Sequence, residues 1–232
     1  MSVEIALLIL ESVLLVATIS LLIYSIREGS RRRDLLIGVS KATKTLTLVE
    51  YFLAVIDSMT EAKEEVIGCV TGRRPTGDAM KRVKDIVSVI EKLTSRGVRV
   101  KYVLQKFQDR LYVGYLYTRA GAEVKYCSCS LIHSLRFVTI DGGLTVISIP
   151  EGVGENEPTR KGYQIPSEGL GTILKDHFYG CWSGDLPFVE YLAEVLEQTG
   201  APIKQLALEL GIEVKELERF LAKPSLQSHE SQ

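Results

Sequence analysis

The chain has 232 residues, with 28 Lys and Arg against 29 Asp and Glu and a formal net charge of −1. That balance argues against a basic nucleic-acid coat protein and against a disordered acidic tail. The composition is 46% hydrophobic and also 25% charged, a combination that fits a chain whose apolar residues are partly gathered in one block.

The block is N-terminal. Between Ile5 and Ile26 the only ionisable side chains are Glu11 and Tyr24. At 1.5 Å per residue such a helix reaches about 33 Å, enough to cross a hydrocarbon core of roughly 30 Å. The flank before it is acidic (Glu4) and the run is too long for a cleavable signal. The expectation is a retained transmembrane anchor over residues 1–26. Glu11 within it either meets a partner helix or lies near the outer leaflet. Arg27, Arg31, Arg32 and Arg33 follow at once, so residues 27–44 form a basic juxtamembrane segment. The positive-inside rule then puts the N-terminus outside and the main domain in the cytoplasm of a single-pass cell-membrane protein. In that reducing compartment Cys69, Cys127, Cys129 and Cys181 are expected as thiols.

Leu46, Val49, Phe52, Leu53, Ile56 and Met59 recur three and four apart within 44–64, the pattern of one helix face. VIGCVTG (66–72) reads as a buried strand, and 77–95 as a helix closed by Gly97. VRVKYVL (98–104) is a strand, 107–120 a helix, and AEVKYC (122–127) a third strand. This alternation predicts an α/β fold with parallel strands. RFVTID (136–141) and LTVISIP (144–150), joined by Gly142-Gly143, predict a hairpin on a two-residue turn. EGVGENEPTRKG (151–162) is expected to be a mobile loop, and 167–182 a closing helix.

In this element order, LIHSLRFVTIDGG (131–143) and HFYGCW (177–182) resemble the signature strand and closing helix of a single phospholipase D superfamily lobe. The resemblance covers residues 45–183. It implies a βαβαβ sheet with a C-terminal hairpin and closing helix. It also implies phosphodiester chemistry at an H-x-K-x4-D signature, with two lobes meeting in a homodimer. Arg136 and Asp141 keep the K-x4-D spacing with Arg for Lys, Ser134 stands where the family has histidine, and His133 is one position further back. The signature is therefore degenerate. His133, Arg136 and Asp141 are the candidate catalytic residues if the domain is a phosphodiesterase, acting as phospholipase or nuclease. Arg136 is a candidate anion contact if the domain binds a phosphate-bearing ligand or a protein partner without turnover. A structural Arg136–Asp141 pair at a strand end is the remaining reading.

Cys127, Cys129 and His133 have even spacings, and His177 and Cys181 are four apart. If those faces met, they would form a Cys/His zinc site, although the spacing matches no ligand signature and buried cysteine usually acts as a small hydrophobe. No motif calls for an organic cofactor. Residues 184–224 read as three short helices, the last two resembling a helix-turn-helix with Gly211 in the turn. From Asp185 to Lys223 there are eight acids against four bases. This argues against a DNA-binding regulator, with Glu216 and Glu218 facing phosphates, and for a protein-interaction or dimerisation module. Residues 225–232 are expected to be disordered.

Overall fold

The computed structural model describes residues 13–14, 17–21, 44–128, 135–149 and 161–222. It divides into two compact units, Met1–Thr43 and Lys44–Gln232. In the first, residues 13–14 and 17–21 are helical, and the Thr18 hydroxyl donates to the Leu14 carbonyl at 2.7 Å. Among the described residues no helix is long and apolar enough to cross a membrane. The rest of the expected span at 5–26, the juxtamembrane residues before 44 and the tail at 225–232 lie outside them.

In the second unit, helix α1 (Leu48–Thr60) starts on a capping box. Glu50 N–H donates to Thr47 Oγ1, and Thr47 N–H donates to Glu50 Oε2 at 2.8 Å. This satisfies amide donors that have no partner within the helix. The remaining helices are α2 (Asp78–Ser95), α3 (Leu111–Arg119), α4 (Glu168–Trp182), α5 (Phe188–Thr199), α6 (Ile203–Leu210) and α7 (Val214–Ala222). The strands are β1 (Lys44–Leu46), β2 (Glu65–Val70), β3 (Arg99–Gln105), β4 (Glu123–Cys127), β5 (Arg136–Ile140), β6 (Leu144–Ile149), β7 (Lys161–Pro166) and β8 (Leu186–Pro187). They form one mixed sheet in the order β1-β7-β6-β5-β2-β3-β4-β8. β2, β3 and β4 run parallel, and every other pairing is antiparallel.

Alternation along each strand divides the core into two layers. Val66, Val100, Tyr102, Leu104, Val138 and Val146 join α1, α2 and α3 in the larger layer. Ile67, Cys69, Val103, Phe137 and Ile147 pack with Leu174 and Phe178 of α4 on the other face. The Phe178 and Trp182 rings stack at 5.2 Å, which seats the end of α4 on the sheet.

Three differences from the sequence reading concern short or polar elements. β1, β7 and β8 were not expected, and Lys161 and Gly162, assigned to the mobile loop, belong to β7. The rest of that loop lies outside the described residues. The hairpin turn comprises Asp141, Gly142 and Gly143 rather than two glycines, because Asp141 takes a left-handed φ of 49°. The C-terminal helices are formed as expected, with Gly211 ending α6 at a φ of 68°. They share the main core through Phe188, Leu206, Leu210 and Leu217. Tyr115 of α3 donates to Glu216 at 2.6 Å, so Glu216 is engaged by the α/β domain and is not presented to a groove.

Candidate functional site

Chain direction changes beside β2. Its parallel neighbours continue through β3 and β4, whereas antiparallel β5 lies on its other side. In open α/β sheets, ligand sites gather outside the carboxyl ends of the parallel strands, here the end of β2. Here a cavity of about 120 Å³ opens at that position. Arg136, the first residue of β5, pairs in register with Ser148 of β6, and both line the cavity. Thr71, Gly72 and Arg73 reach it from the end of β2, Tyr51, Phe52 and Val55 from α1, and Val83 and Ile86 from α2.

The cavity is cationic and mostly apolar. Arg136 is half-buried. Burial lowers its pKa, the neighbouring Tyr51 acts the other way, and Arg110 lowers it further; a guanidinium so far above neutrality stays charged. Burial pushes the Tyr51 phenol up to about 12 against the opposing charge of Arg136. At neutral pH Tyr51 is thus a hydrogen-bond donor and not a nucleophile. Among the described lining residues there is no histidine, cysteine, aspartate or glutamate. The arrangement can hold an anion, and its described hydroxyl-bearing lining residues are Tyr51, Thr71, Tyr102, Tyr117 and Ser148.

Asp141 does not join Arg136. The two residues lie at opposite ends of β5, about 17 Å apart at strand rise. Asp141 accepts the backbone N–H groups of Lys63, Glu64 and Glu65, each at 2.9 Å. Burial raises its pKa, but these three amides outweigh it and hold the carboxyl below its ordinary value. The expected structural pair of Arg136 with Asp141 is therefore corrected. Arg136 lines a cavity, while Asp141 clamps the chain entering β2 at the opposite end of the strands. His133 lies outside the described residues.

The thiol–imidazole residues are only partly brought together. His177 Nε2 and Cys181 Sγ, on α4, are 3.7 Å apart. Cys127 is buried in the layer beneath α4, on the face opposite the cavity, and Cys181 packs against that layer. Cys129 also lies outside the described residues, and among those described no group of three His, Cys, Asp or Glu side chains could hold a metal ion.

Sequence reasoning missed Arg73, Tyr51 and Arg82 as residues of this region. Arg73 follows a predicted parallel strand, the place where ligand-binding side chains gather. That signal was available. Nothing in the sequence marks Tyr51, which shares its helix face with ordinary core residues.

No family model matches the chain, and no curated protein matches it. Among solved structures it is similar to Nuc from Salmonella typhimurium, titled as a phospholipase D family member, at 14% identity and a TM-score of 0.44 over 58% of this chain and 88% of that one. It is also similar to NucT from Helicobacter pylori, at 11% identity and a TM-score of 0.48, over 62% and 98%. A third similar structure is TrmBL2, described as an archaeal chromatin protein, at 13% identity and a TM-score of 0.45, over 74% and 66%. All three TM-scores lie below 0.5, so the likenesses assign no residue a role.

Proposed function

We propose that the chain is a phospholipase-D-like domain whose Arg136 cavity binds a phosphate-bearing ligand without turning it over, held beside a bilayer by residues 5–26. The observation that carries this reading is the lining itself. Arg136 and Arg73 line one small cavity by the carboxyl end of β2, and no described lining residue is a carboxylate, imidazole or thiol. Guanidinium groups suit phosphate oxygens in number and direction of donors, and they function in binding without any nucleophile. The apolar run at 5–26 and the arginines after it support the anchored placement.

The test uses the full chain purified in detergent. Phenyl phosphate and methyl phenyl phosphate are titrated calorimetrically, and hydrolysis of a chromogenic phosphodiester is followed in parallel. At least one ester is expected to bind, about tenfold or more weakly in Arg136→Ala, with no hydrolysis. Binding indifferent to Arg136 overturns the reading. So does hydrolysis that disappears in His133→Ala, which would install the dimeric phosphodiesterase instead.

A further inference from the structure

Resting on the phosphate-binding reading, we infer that the cavity takes a phosphate ester whose apolar body carries an uncharged hydrogen-bond acceptor, read by the hydroxyl of Tyr117. Tyr117 is 5% exposed and lines the cavity from α3, one turn after Val113. Its ring packs against that of Tyr102 at a centroid distance of 4.8 Å. Among the described residues the Tyr117 hydroxyl has no hydrogen-bond partner. Other buried phenols of the domain are engaged: Tyr102 donates to Met59 Sδ at 3.4 Å, Tyr126 to the Arg110 carbonyl at 3.4 Å and Tyr115 to Glu216 at 2.6 Å. A buried tyrosine hydroxyl ordinarily finds a partner, because otherwise it loses its bond to water without replacement. An acceptor on a ligand entering the cavity supplies that partner.

The position of the phenols indicates what they read. β3, which carries Tyr102, and β5, which begins at Arg136, flank β2 on opposite sides. Two strand spacings put their backbones about 10 Å apart. Gly68 on β2 lets the Tyr102 ring lie over that strand, since a Cβ there would stand 2.6 Å from Tyr102 Cε1. Tyr51 links the two ends. Burial pushes its phenol up against the charge of Arg136, and Tyr51 in turn adds to the burial that raises Tyr117. Tyr117 therefore keeps its proton at neutral pH and donates. The rest of the lining is largely aliphatic, through Val55, Val83, Ile86 and Val113, and its described charged residues are Arg73 and Arg136. A second anion beside Tyr117 would be buried among neutral groups, which is costly, whereas a carbonyl oxygen accepts from a phenol without carrying charge into the core. The ligand so described is elongated, with a phosphoryl group at β5 and an acceptor further along an apolar body.

Two phosphate monoesters of nearly equal shape test the acceptor: 4-acetylphenyl phosphate, with a carbonyl at the far end of its ring, and 4-isopropylphenyl phosphate, without one. Both are titrated calorimetrically into the full chain in detergent. The acetyl ester is expected to bind about fivefold or more tightly. Tyr117→Phe, which keeps the ring, should bring that ratio to about one by weakening the acetyl ester, with urea unfolding showing that the variant is folded. A second readout needs no variant: the infrared carbonyl band of the bound acetyl ester should lie at the lowered frequency of a hydrogen-bonded carbonyl, and a band at its hydrocarbon position overturns the inference. Equal binding of the two esters, or a preference that survives Tyr117→Phe, overturns it while leaving phosphate binding intact. Failure of both esters where phenyl phosphate still binds does the same. Failure of all three to bind overturns the phosphate-binding reading together with this one.

Discussion

Asp141 and Glu65 are joined by two reciprocal backbone-directed bonds: Glu65 N–H donates to the Asp141 carboxylate at 2.9 Å, and Asp141 N–H donates to the Glu65 carbonyl at 2.9 Å. With the bonds from Lys63 and Glu64, the carboxylate fixes the entry of β2 to the β5–β6 turn. Asp141→Asn keeps a residue tolerant of the left-handed backbone but removes the charge. The side chain is exposed, so the expected loss is modest, about 1–2 kcal/mol. Because the folded pKa lies below its unfolded value of about 3.9, the stabilisation is complete above that pH and is lost as pH falls through the folded value. Urea unfolding at pH 7 and pH 3 should show the Asn variant weaker at pH 7 and the two proteins converging at pH 3. Ester affinity should be unchanged, since Asp141 is remote from Arg136.

Glu65 also ties α4 to the sheet through its side chain, which is buried. It accepts from the Tyr179 hydroxyl, pairs with Lys175 at 2.7 Å and lies 3.7 Å from Arg99. Burial raises its pKa, but the Lys175 and Tyr179 bonds and the nearby cations prevail and lower it. Lys175→Met removes a partner that is 42% exposed, so about 1–2 kcal/mol is expected at pH 7, below the cost of breaking a fully buried pair. The folded pKa is depressed, so this contribution is present above about pH 4.3 and fades as pH falls through the folded value. A deficit in the Met variant as large at pH 3 as at pH 7 would contradict the assignment.

How much could be read from the chain depended on what each element buries. β2, β3, β4 and the β5–β6 hairpin were legible because apolar side chains fill their positions on both faces of the sheet. β1 has three residues and β8 two, too few for any period to register. β7 reads KGYQIP, with Gly162 approached by Tyr51 from α1, and its pairing is set by β1 and β6 rather than by its own composition. At the site, Arg136 was legible from the signature spacing. Its separation from Asp141 was legible too: the predicted strand RFVTID (136–141) already holds the two residues at its opposite ends, too far apart to pair.

Gly171 marks the closest approach of α4 to the hairpin turn. A Cβ there would stand 2.0 Å from the Gly142 carbonyl oxygen and 2.7 Å from its carbon. Both atoms are backbone, so no side chain can swing aside. Gly171→Ala, which would normally favour a helix interior, is expected to destabilise by about 1–3 kcal/mol through overpacking. Thermal unfolding decides the sign; a raised Tm would show that α4 can move away at little cost.

Tyr115 and Glu216 hold the C-terminal helices against α3, together with the edge-on packing of Tyr115 on Phe220 at 5.6 Å. Tyr115→Phe retains the ring and deletes the hydroxyl, leaving Glu216 to solvent, and should cost about 1 kcal/mol. Truncation before Val214 is a harsher change, because Leu206, Leu210 and Phe188 lose Leu217 and Phe220 as neighbours in the shared core. The truncated chain is expected to unfold at lower urea concentration and to bind a hydrophobic dye. An unchanged midpoint would make α7 an independent appendage.

Tyr51 links the cavity to stability at high pH. Its phenol is buried beside Arg136, and burial moves its pKa from 10.0 to about 12. The folded protein therefore favours the neutral phenol more strongly than the unfolded chain does. For an acid with a raised pKa the stabilisation is complete below the unfolded value near 10 and is lost as pH rises towards the folded value of about 12. Tyr51→Phe has no proton to lose there. The stability of the wild type relative to the Phe variant should be constant from pH 7 to 9 and decline between pH 10 and 12, as followed by urea unfolding. At pH 7 the Phe variant should bind phenyl phosphate several-fold more weakly, through loss of one donor to the phosphoryl oxygens. The two measurements separate the roles of this side chain. A pH-dependent difference with unchanged ester affinity would leave Tyr51 as a core residue and assign the phosphoryl contacts to the arginines.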